Sequence, residues 1–316
     1  MSLLVVGSMA LDDIETPFGI CESLWGGSAT YFSTAASYFT EVCVVAVVGE
    51  DFPEACLRFL SERGVDLSGL ARIAGPTFRW KGKYDWDLAD PQTLDTRLGV
   101  FADFRPTLSE AQRRSEYVFL ANIDPDLQRE VVEQVEGPRL VACDTMNFWI
   151  DGKRDALLRT LERVDLLVIN DSEARQLSGE HNIVKAAEAI RAMGPARLIV
   201  KRGEYGAMLF DEGHVFYAPA FPLFDVVDPT GAGDSFAGGL MGYLAQAGDL
   251  ARDTVRQAMV AGSVMASFAV QGFSLERMQT LGPREIAARM KDFRALTHFD
   301  DISPEVLRDF EPADPP

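Results

Sequence analysis

The sequence predicts a three-layer α/β/α domain with a mostly parallel central sheet and a small β-sheet lid. Two observations predict this fold class. Short apolar runs rich in β-branched residues alternate with stretches of helical pattern, as expected for repeated βαβ units. One long stretch of mixed aromatic and polar residues interrupts that alternation. The 316 residues, 47% of them hydrophobic, are enough to bury such a sheet between two helical layers.

The central sheet is predicted from six short runs. Each run is almost entirely apolar instead of alternating, which is typical of parallel strands buried on both faces. A helical pattern follows each run, so successive strands are expected to lie parallel. The predicted strands are Leu3–Val6, Val42–Val48, Val118–Leu120, Leu140–Cys143, Leu166–Ile169 and Leu198–Val200.

The interruption runs from Thr77 to Phe104. Aromatic and polar residues mix there and Pro91 marks a turn midway, so we expect a β-hairpin inserted between βα units. Together with the segment Ile14 to Glu22 it would form a lid over a cleft, and an ordinary surface excursion is the alternative. The predicted organisation is a main α/β domain of residues 1–13, 23–76 and 105–310, a lid of residues 14–22 and 77–104, and a flexible tail of residues 311–316.

The chain is strongly acidic. Its 30 Lys plus Arg and 48 Asp plus Glu give a net charge of −18, which makes nucleic acid and anionic membranes poor partners. An anionic substrate must therefore be bound by a local feature such as a helix N-terminus or a metal ion. The four cysteines form no C-x-x-C pair, which favours reduced thiols and the cytoplasm. We expect neither a signal peptide nor a membrane span.

The most informative segment is DPTGAGDSF, from Asp228 to Phe236. The small residues Gly231, Ala232 and Gly233 let the backbone approach a phosphate, and the N–H groups and dipole of a helix that starts here favour negative charge. Asp234, in the first helical turn, is placed to accept the proton of an attacking hydroxyl. A raised pKa is not required for that role. The segment predicts phosphoryl transfer, and a capped glycine-rich turn is its purely structural alternative.

Rival motifs do not fit this chain. A dinucleotide fingerprint would need a third glycine where Phe236 stands, and a P-loop would need Gly-Lys followed by Ser or Thr. The three histidines are far apart in sequence and lie outside any hydrolase or zinc pattern. Dehydrogenase, P-loop and hydrolase readings are therefore disfavoured.

The segment Asp228 to Phe236 closely resembles the C-terminal signature of the ribokinase-like (PfkB) carbohydrate kinase family. Pro229 replaces the usual second Thr of the family's D-T-x-G-A-G-D. The resemblance implies MgATP as the phosphate donor, an anion hole at residues 231–233 and Asp234 as the catalytic base. It also implies that Thr230 lies on the nucleotide side, and that Asp228 and Thr230 border a monovalent-cation site that some members carry.

Weaker motifs fall in the family's order on the acceptor side. The segment Gly7 to Asp12 resembles G-S-x-x-x-D, whose Asp binds substrate hydroxyls in the family, although a polar turn after a strand is the alternative. The pair Gly26 and Gly27 resembles the family's di-glycine motif, which shapes the substrate pocket. Tyr31 stands where many sugar kinases place a sugar-binding Asn. The acceptor therefore stays open between a sugar and a nucleoside.

Two further motifs match the nucleotide side. Asn170 and Glu173 resemble the family's N-x-x-E, which implies Mg²⁺ held through water; the same residues also read as a helix capping box. Lys201, Gly203 and Gly206 correspond to the family's G-x-x-G turn. Lys201 is a candidate contact to ATP phosphate, and a β-turn with a solvated lysine is the alternative.

Other polar residues also follow predicted strands, at the edge where open α/β sheets bind ligands. They are second-tier substrate-binding candidates, and loop and cap chemistry is their structural alternative. These residues are Asn122, Asp144 and Asn147.

The function predicted from sequence is ATP-dependent phosphorylation of a sugar hydroxyl. A nucleoside kinase of the same fold, or a catalytically idle protein that binds sugar or nucleotide as a sensor, is the alternative. A homodimer formed through the lid is also expected from the resemblance. The lid aromatics would serve that dimer or stack on substrate; they are Phe78, Trp80, Tyr84 and Trp86.

Overall fold

A computed structural model describes residues 2–89, 91–301 and 303. The predicted tail of residues 311–316 lies outside the described residues. The strands are β1 Leu3–Val6, β2 Ala10–Thr16, β3 Gly19–Gly26, β4 Val42–Val48, β5 Val65–Arg72, β6 Phe78–Lys83, β7 Gln92–Arg97, β8 Tyr117–Leu120, β9 Leu140–Cys143, β10 Leu166–Asn170, β11 Arg197–Lys201, β12 Ala207–Asp211 and β13 His214–Ala218.

Helices directly follow β4, β8, β9 and β10, as the sequence predicts, whereas β1 is followed by the hairpin β2-β3 and β11 by the antiparallel strands β12 and β13. The described residues form twelve α-helices. They are α1 Ser28–Ala36, α2 Glu54–Glu62, α3 Glu110–Arg113, α4 Pro125–Gln134, α5 Asn147–Gly152, α6 Arg154–Leu161, α7 Asp171–Ser178, α8 Ile183–Arg191, α9 Ala232–Ala247, α10 Arg252–Ala269, α11 Glu276–Gln279 and α12 Pro283–Thr297.

Nine strands form the large sheet, in the order β13-β12-β11-β10-β9-β8-β1-β4-β5. All neighbours from β11 to β5 pair in parallel, and β12 and β13 add an antiparallel edge. The six predicted runs are all strands of this sheet. Because the paired strands are parallel, their carboxyl ends lie along one edge, which is where a ligand site is expected.

Each face of the large sheet is buried against helices. Leu3 and Val5 of β1 belong to one apolar core with α1, α9 and α10, whereas Leu4 and Val6 belong to a second core with α4, α6, α7 and α8. Successive side chains of a strand point to opposite faces, so one short apolar strand contributes to both cores. The predicted three-layer α/β/α fold is confirmed.

Four strands form the small sheet, in the order β3-β2-β6-β7. The pairs β2-β3 and β6-β7 are antiparallel hairpins, and β2 joins β6 in parallel. The predicted small sheet is therefore present. Its first hairpin is longer than the predicted segment Ile14 to Glu22, since β2 begins at Ala10 and β3 ends at Gly26. The predicted division into main domain and lid stays a prediction.

Asp51 fixes the start of β6 relative to the large sheet. One oxygen of its carboxylate accepts hydrogen bonds from the Thr77 amide at 2.7 Å and from the Thr77 hydroxyl at 2.6 Å. The Thr77 hydroxyl in turn accepts the Gly49 amide at 3.0 Å, at the end of β4. Thr77 is fully buried, so the first residue of the hairpin has a defined position relative to β4.

Candidate active site

The first turn of α9 lies at the carboxyl edge of the large sheet. Gly231 precedes the helix at φ 72°, and a Cβ at this position would lie 2.3 Å from the ring of Tyr31. Positive φ and the close aromatic ring both require glycine here. The first N–H groups of a helix have no carbonyl partner within the helix. The turn therefore offers amides to an anion, with Tyr31 packed beneath it.

Asp234 lies in this first turn, half-buried. Burial raises the pKa of its carboxyl to about 7, the nearby charge of Asp144 adds to the rise, and Lys201 opposes it. The sequence did not indicate this shift. A carboxyl that titrates near neutral pH is suited to accept and release a proton under ordinary conditions.

Lys201, at the end of β11, forms an ion pair with Asp144, which follows β9. The Lys201 Nζ lies 3.3 Å from Asp144 Oδ2, and the two side chains are 18% and 7% exposed. Burial acts to lower the pKa of Lys201, but the charges of Asp144, Glu173 and Asp234 outweigh it and raise that pKa. The ammonium also lies 2.9 Å from the Cβ position of Gly233. A protonated amine therefore stands beside the helix N-terminus.

Asp12 reaches the same site from the small sheet. Its carboxyl occupies the space that a side chain at Gly26 would fill, since a Cβ there would lie 1.9 Å from Asp12 Oδ2. Burial raises the pKa of Asp12 to about 8, with a contribution from Asp228 and a smaller one from Asp234; a hydrogen bond from the Gly27 amide opposes these effects. The di-glycine segment is thus shaped around this carboxyl.

Asp228 anchors the loop in front of α9. It is fully buried and accepts hydrogen bonds from the Thr230 amide at 2.9 Å and the Ser274 amide at 3.1 Å. The Thr230 hydroxyl donates to the Tyr84 hydroxyl at 3.1 Å. Sequence reasoning missed Ser274 and the Tyr84 contact. Both join segments that are distant in the chain, so no local pattern marks them.

Asn170 and Glu173 form the predicted capping box at the start of α7. The Asn170 side chain accepts the Glu173 amide, and the Glu173 carboxylate accepts the Asn170 amide, both at 2.8 Å. Glu173 is also close enough to Lys201 to raise the pKa of that lysine. The capping box therefore holds Glu173 in the neighbourhood of Lys201.

The remaining candidates make local contacts. Asn122 accepts the Trp149 indole N–H at 3.0 Å, and Asn147 is exposed, with its side chain accepting the Phe148 amide at 3.1 Å. Gly203 and Gly206 bound a single 3-10 turn between β11 and β12. The charge interactions thus join Asp12, Asp144, Glu173, Lys201 and Asp234, and they do not include the two asparagines.

Within residues 2–89, 91–301 and 303, no helix is long and apolar enough to cross a bilayer. Among the same residues, no group of three or more His, Cys, Asp or Glu side chains is arranged to hold a metal ion.

The family model of the pfkB family carbohydrate kinases matches residues 117–277, just over half of the chain. A cytidine kinase of Thermococcus kodakarensis is 28% identical over 249 residues, which cover 77% of this chain and 88% of that protein. A deoxyribokinase of Salmonella typhimurium is 33% identical over 275 residues, covering 78% and 81%.

A solved structure with the same fold comes from E. coli, described as a ribokinase II in complex with ATP and Mg²⁺. It superposes with a TM-score of 0.75 at 19% identity, covering 92% of this chain and 99% of that one. The fold and the relatives define a phosphotransferase that acts on an alcohol group. The chain belongs to the PfkB family of carbohydrate kinases.

Proposed function

We propose that this chain transfers the γ-phosphoryl group of ATP to a hydroxyl of a sugar or a nucleoside, with Asp234 as the general base. The observation that carries the proposal is the position of Asp234 in the first turn of α9. There the carboxyl that would take the proton lies in the same helical turn as the amides that would bind the phosphate. General-base catalysis and stabilisation of the transferred phosphate therefore act at one place.

Lys201 supports the phosphate side of this proposal. Its ammonium stands beside Gly233 and is held there by Asp144. Negative charge spreads over the phosphoryl oxygens in the transition state, and a fixed cation together with helix amides stabilises it without reorganisation. In a chain of net charge −18, such a local cation offsets the repulsion between the acidic protein and ATP.

Magnesium is part of the proposal because of the donor chemistry at the site. Mg²⁺ usually binds one or two protein carboxylates together with substrate phosphates and water, and this fits a site in which the described residues form no three-ligand cluster. Glu173, with Asn170 holding it, would contact the ion or its water shell. The bound ion would neutralise charge on the phosphates. A monovalent cation beside Asp228 and Thr230 stays a proposal, and activity measured with and without K⁺ tests it.

The acceptor would bind through Asp12. Its two oxygens can share hydrogen bonds with neighbouring hydroxyls as donor or acceptor, and such hydroxyls occur in free sugars and in the ribose of a nucleoside. The relatives contain both classes, a deoxyribokinase and a cytidine kinase. The similarity to the cytidine kinase, which extends over 88% of that protein, favours the nucleoside as a second candidate.

Replacing the base tests this function. Asp234→Asn keeps the shape of the side chain but cannot take a proton, so kcat for ADP release is expected to fall by about 10²–10⁴-fold. ATP binding, measured by calorimetry, stays unchanged. Sugars and nucleosides are screened as acceptors with the unmodified chain first.

Asp225→Asn, an exposed acid in the preceding loop, serves as the matched control and keeps full activity. Near-normal turnover of Asp234→Asn would overturn the assignment of the base. If the unmodified chain binds ATP but releases no ADP with any acceptor, the result would support the sensor alternative.

A homodimer through the small sheet is proposed as well. The loop and strands of this sheet expose the apolar side chains of Phe18, Ile20 and Trp86, at 52%, 68% and 81%. Exposed apolar groups of this kind favour burial against another molecule, and sedimentation of the chain at increasing concentration measures whether a second copy covers them.

A further inference from the structure

Trp80 lies on the face of the small sheet that carries Asp12. In the parallel pairing of β2 with β6, Asp12 is the register partner of Trp80, and side chains of directly paired residues share a face. The residue that would bind acceptor hydroxyls therefore has an aromatic ring as its neighbour on the adjoining strand.

The ring of Trp80 lies across Gly82. A Cβ at Gly82 would be 2.0 Å from the Trp80 Cη2, so the ring occupies the space that any side chain at 82 would need. The indole N–H donates to the Thr93 hydroxyl at 3.2 Å, and Thr93 is the register partner of Gly82 on β7. The ring is thus held along the sheet, and Trp80 is only half-buried.

This face of the small sheet points toward the candidate active site. Tyr84 follows Gly82 by two residues, and its hydroxyl accepts the hydrogen bond of Thr230, in the loop before α9. The charge of Asp12 interacts with Asp228 and Asp234 in the same region. Trp80 is therefore flanked on its own sheet by two residues that reach the phosphate-binding loop.

The other aromatic residues of the hairpin have different contacts. Phe78 stacks on Phe101 with ring centroids 5.5 Å apart, and Tyr84 is buried against Thr230. Trp86 is 81% exposed and meets Phe18 edge-on. Of the four aromatics, Trp80 is the one that combines a fixed ring, partial exposure and the Asp12 face.

We propose that Trp80 is the platform on which the base of a nucleoside acceptor stacks while Asp12 holds its ribose hydroxyls. This inference rests on the proposed function and names its acceptor class. A planar base gains from stacking on an indole fixed in place, whereas a free pentose or hexose has no aromatic face to offer. The chain would then discriminate nucleosides from free sugars through this one ring.

The test compares two variants of Trp80 with a neighbour on the opposite face of the same strand. Steady-state KM and kcat are measured with MgATP and with cytidine, uridine, adenosine, ribose and deoxyribose for Trp80→Phe, Trp80→Leu and Lys81→Ala. Trp80→Leu, which keeps apolar bulk but loses the aromatic face, is expected to raise the nucleoside KM by about 10- to 100-fold. Trp80→Phe is expected to retain most of the nucleoside affinity, and Lys81→Ala all of it.

Calorimetric titration of each nucleoside into the chain without ATP gives a second readout that does not depend on turnover. Nucleoside binding that weakens in Trp80→Leu and persists in Trp80→Phe supports the platform. Equal nucleoside binding by the unmodified chain and Trp80→Leu, or turnover confined to free sugars, overturns it and leaves the proposed kinase function standing. Nucleoside binding without turnover of any acceptor contradicts the kinase function alone.

Discussion

The proposed phosphate side and the proposed acceptor side of the site are built in different ways. The phosphate side is one continuous stretch, residues 228–234, in which loop, helix start and candidate base follow one another. The acceptor side combines Asp12 of β2, the glycine pair after β3 and the aromatic face of β6. A local segment specifies its own geometry, whereas the acceptor side depends on strand register. The same phosphate chemistry can thus be combined with different acceptors.

Gly231→Ala tests the proposed phosphate side. Of the changes proposed in this Discussion, it should have the largest effect on turnover. The new Cβ would clash with the ring of Tyr31, and the alanine would have to adopt a positive φ. The helix start would therefore shift, and its amide N–H groups would no longer point at the phosphate. The loss of aligned donors is expected to reduce kcat by about 10²–10³-fold, measured by ADP release.

Gly213→Ala is the matched control for Gly231→Ala. Gly213 has φ 81° with open space around its Cβ position, in the turn between β12 and β13. It carries only the backbone cost of the left-handed conformation, about 1–2 kcal/mol. Equal losses of activity in the two variants would show that backbone strain, and not the orientation of the α9 amide groups, explains the result at Gly231.

Lys201→Met removes the cation that lies beside Gly233 on the proposed phosphate side. A charge-assisted contact to phosphate is worth roughly 1.5–3 kcal/mol, so kcat/KM for ATP is expected to fall by about 10- to 100-fold. The unpaired Asp144 should also lower the free energy of unfolding by about 3 kcal/mol. In the double variant with Asp144→Leu, stability measured by urea unfolding should return while activity stays low. Recovery of both would assign the pair a structural role only.

Tyr84→Phe weakens the contact between the two sides. Loss of the hydrogen bond from Thr230 is expected to cost about 0.5–1.5 kcal/mol, seen as a 2- to 10-fold higher acceptor KM with little change in the KM for ATP. Tyr243→Phe removes a comparable hydroxyl contact, to Gln257 between α9 and α10, and should leave both constants alone. An effect confined to ATP would contradict the placement of Tyr84 on the acceptor side.

Asp12→Asn tests how stability depends on pH, apart from any effect on turnover. Since folding raises the pKa of Asp12 from about 4 to about 8, its contribution is fully present below pH 4 and is lost as pH rises through 8. The variant should therefore melt at a higher temperature than the unmodified chain at pH 8 and at nearly the same temperature at pH 4. Asp253→Asn, a highly exposed acid, should show no such divergence.

The two sides also differ in what the sequence could predict. The helix start at Gly231, the capping box of Asn170 and Glu173 and the six central strands all follow from local spacing, and the structure confirms each of them. These features depend on residues within a few positions of one another. Patterns of that range can be read without knowledge of the fold.

The features that could not be predicted from the sequence depend on contacts between residues that are far apart in the chain. Asp12 and Trp80 become neighbours only through the register of β2 with β6, and Ser274 meets Asp228 across 46 positions. The raised pKa of Asp234 likewise needs burial and the nearby Asp144, which no local motif encodes. Long-range pairs of this kind are fixed by packing of the whole chain.

If Asp12 and Asp234 have the proposed roles, the placement of Asp12 on the small sheet would limit wasteful hydrolysis of ATP. Asp12 travels with β2, whereas Asp234 and Lys201 belong to α9 and β11 of the larger body. A tilt of the small sheet would therefore change the distance between a hydroxyl bound by Asp12 and Asp234, while the proposed phosphate contacts of α9 and Lys201 would stay as they are. Correct alignment would then require an acceptor that reaches from the small sheet to α9, and a water molecule is too small to do so.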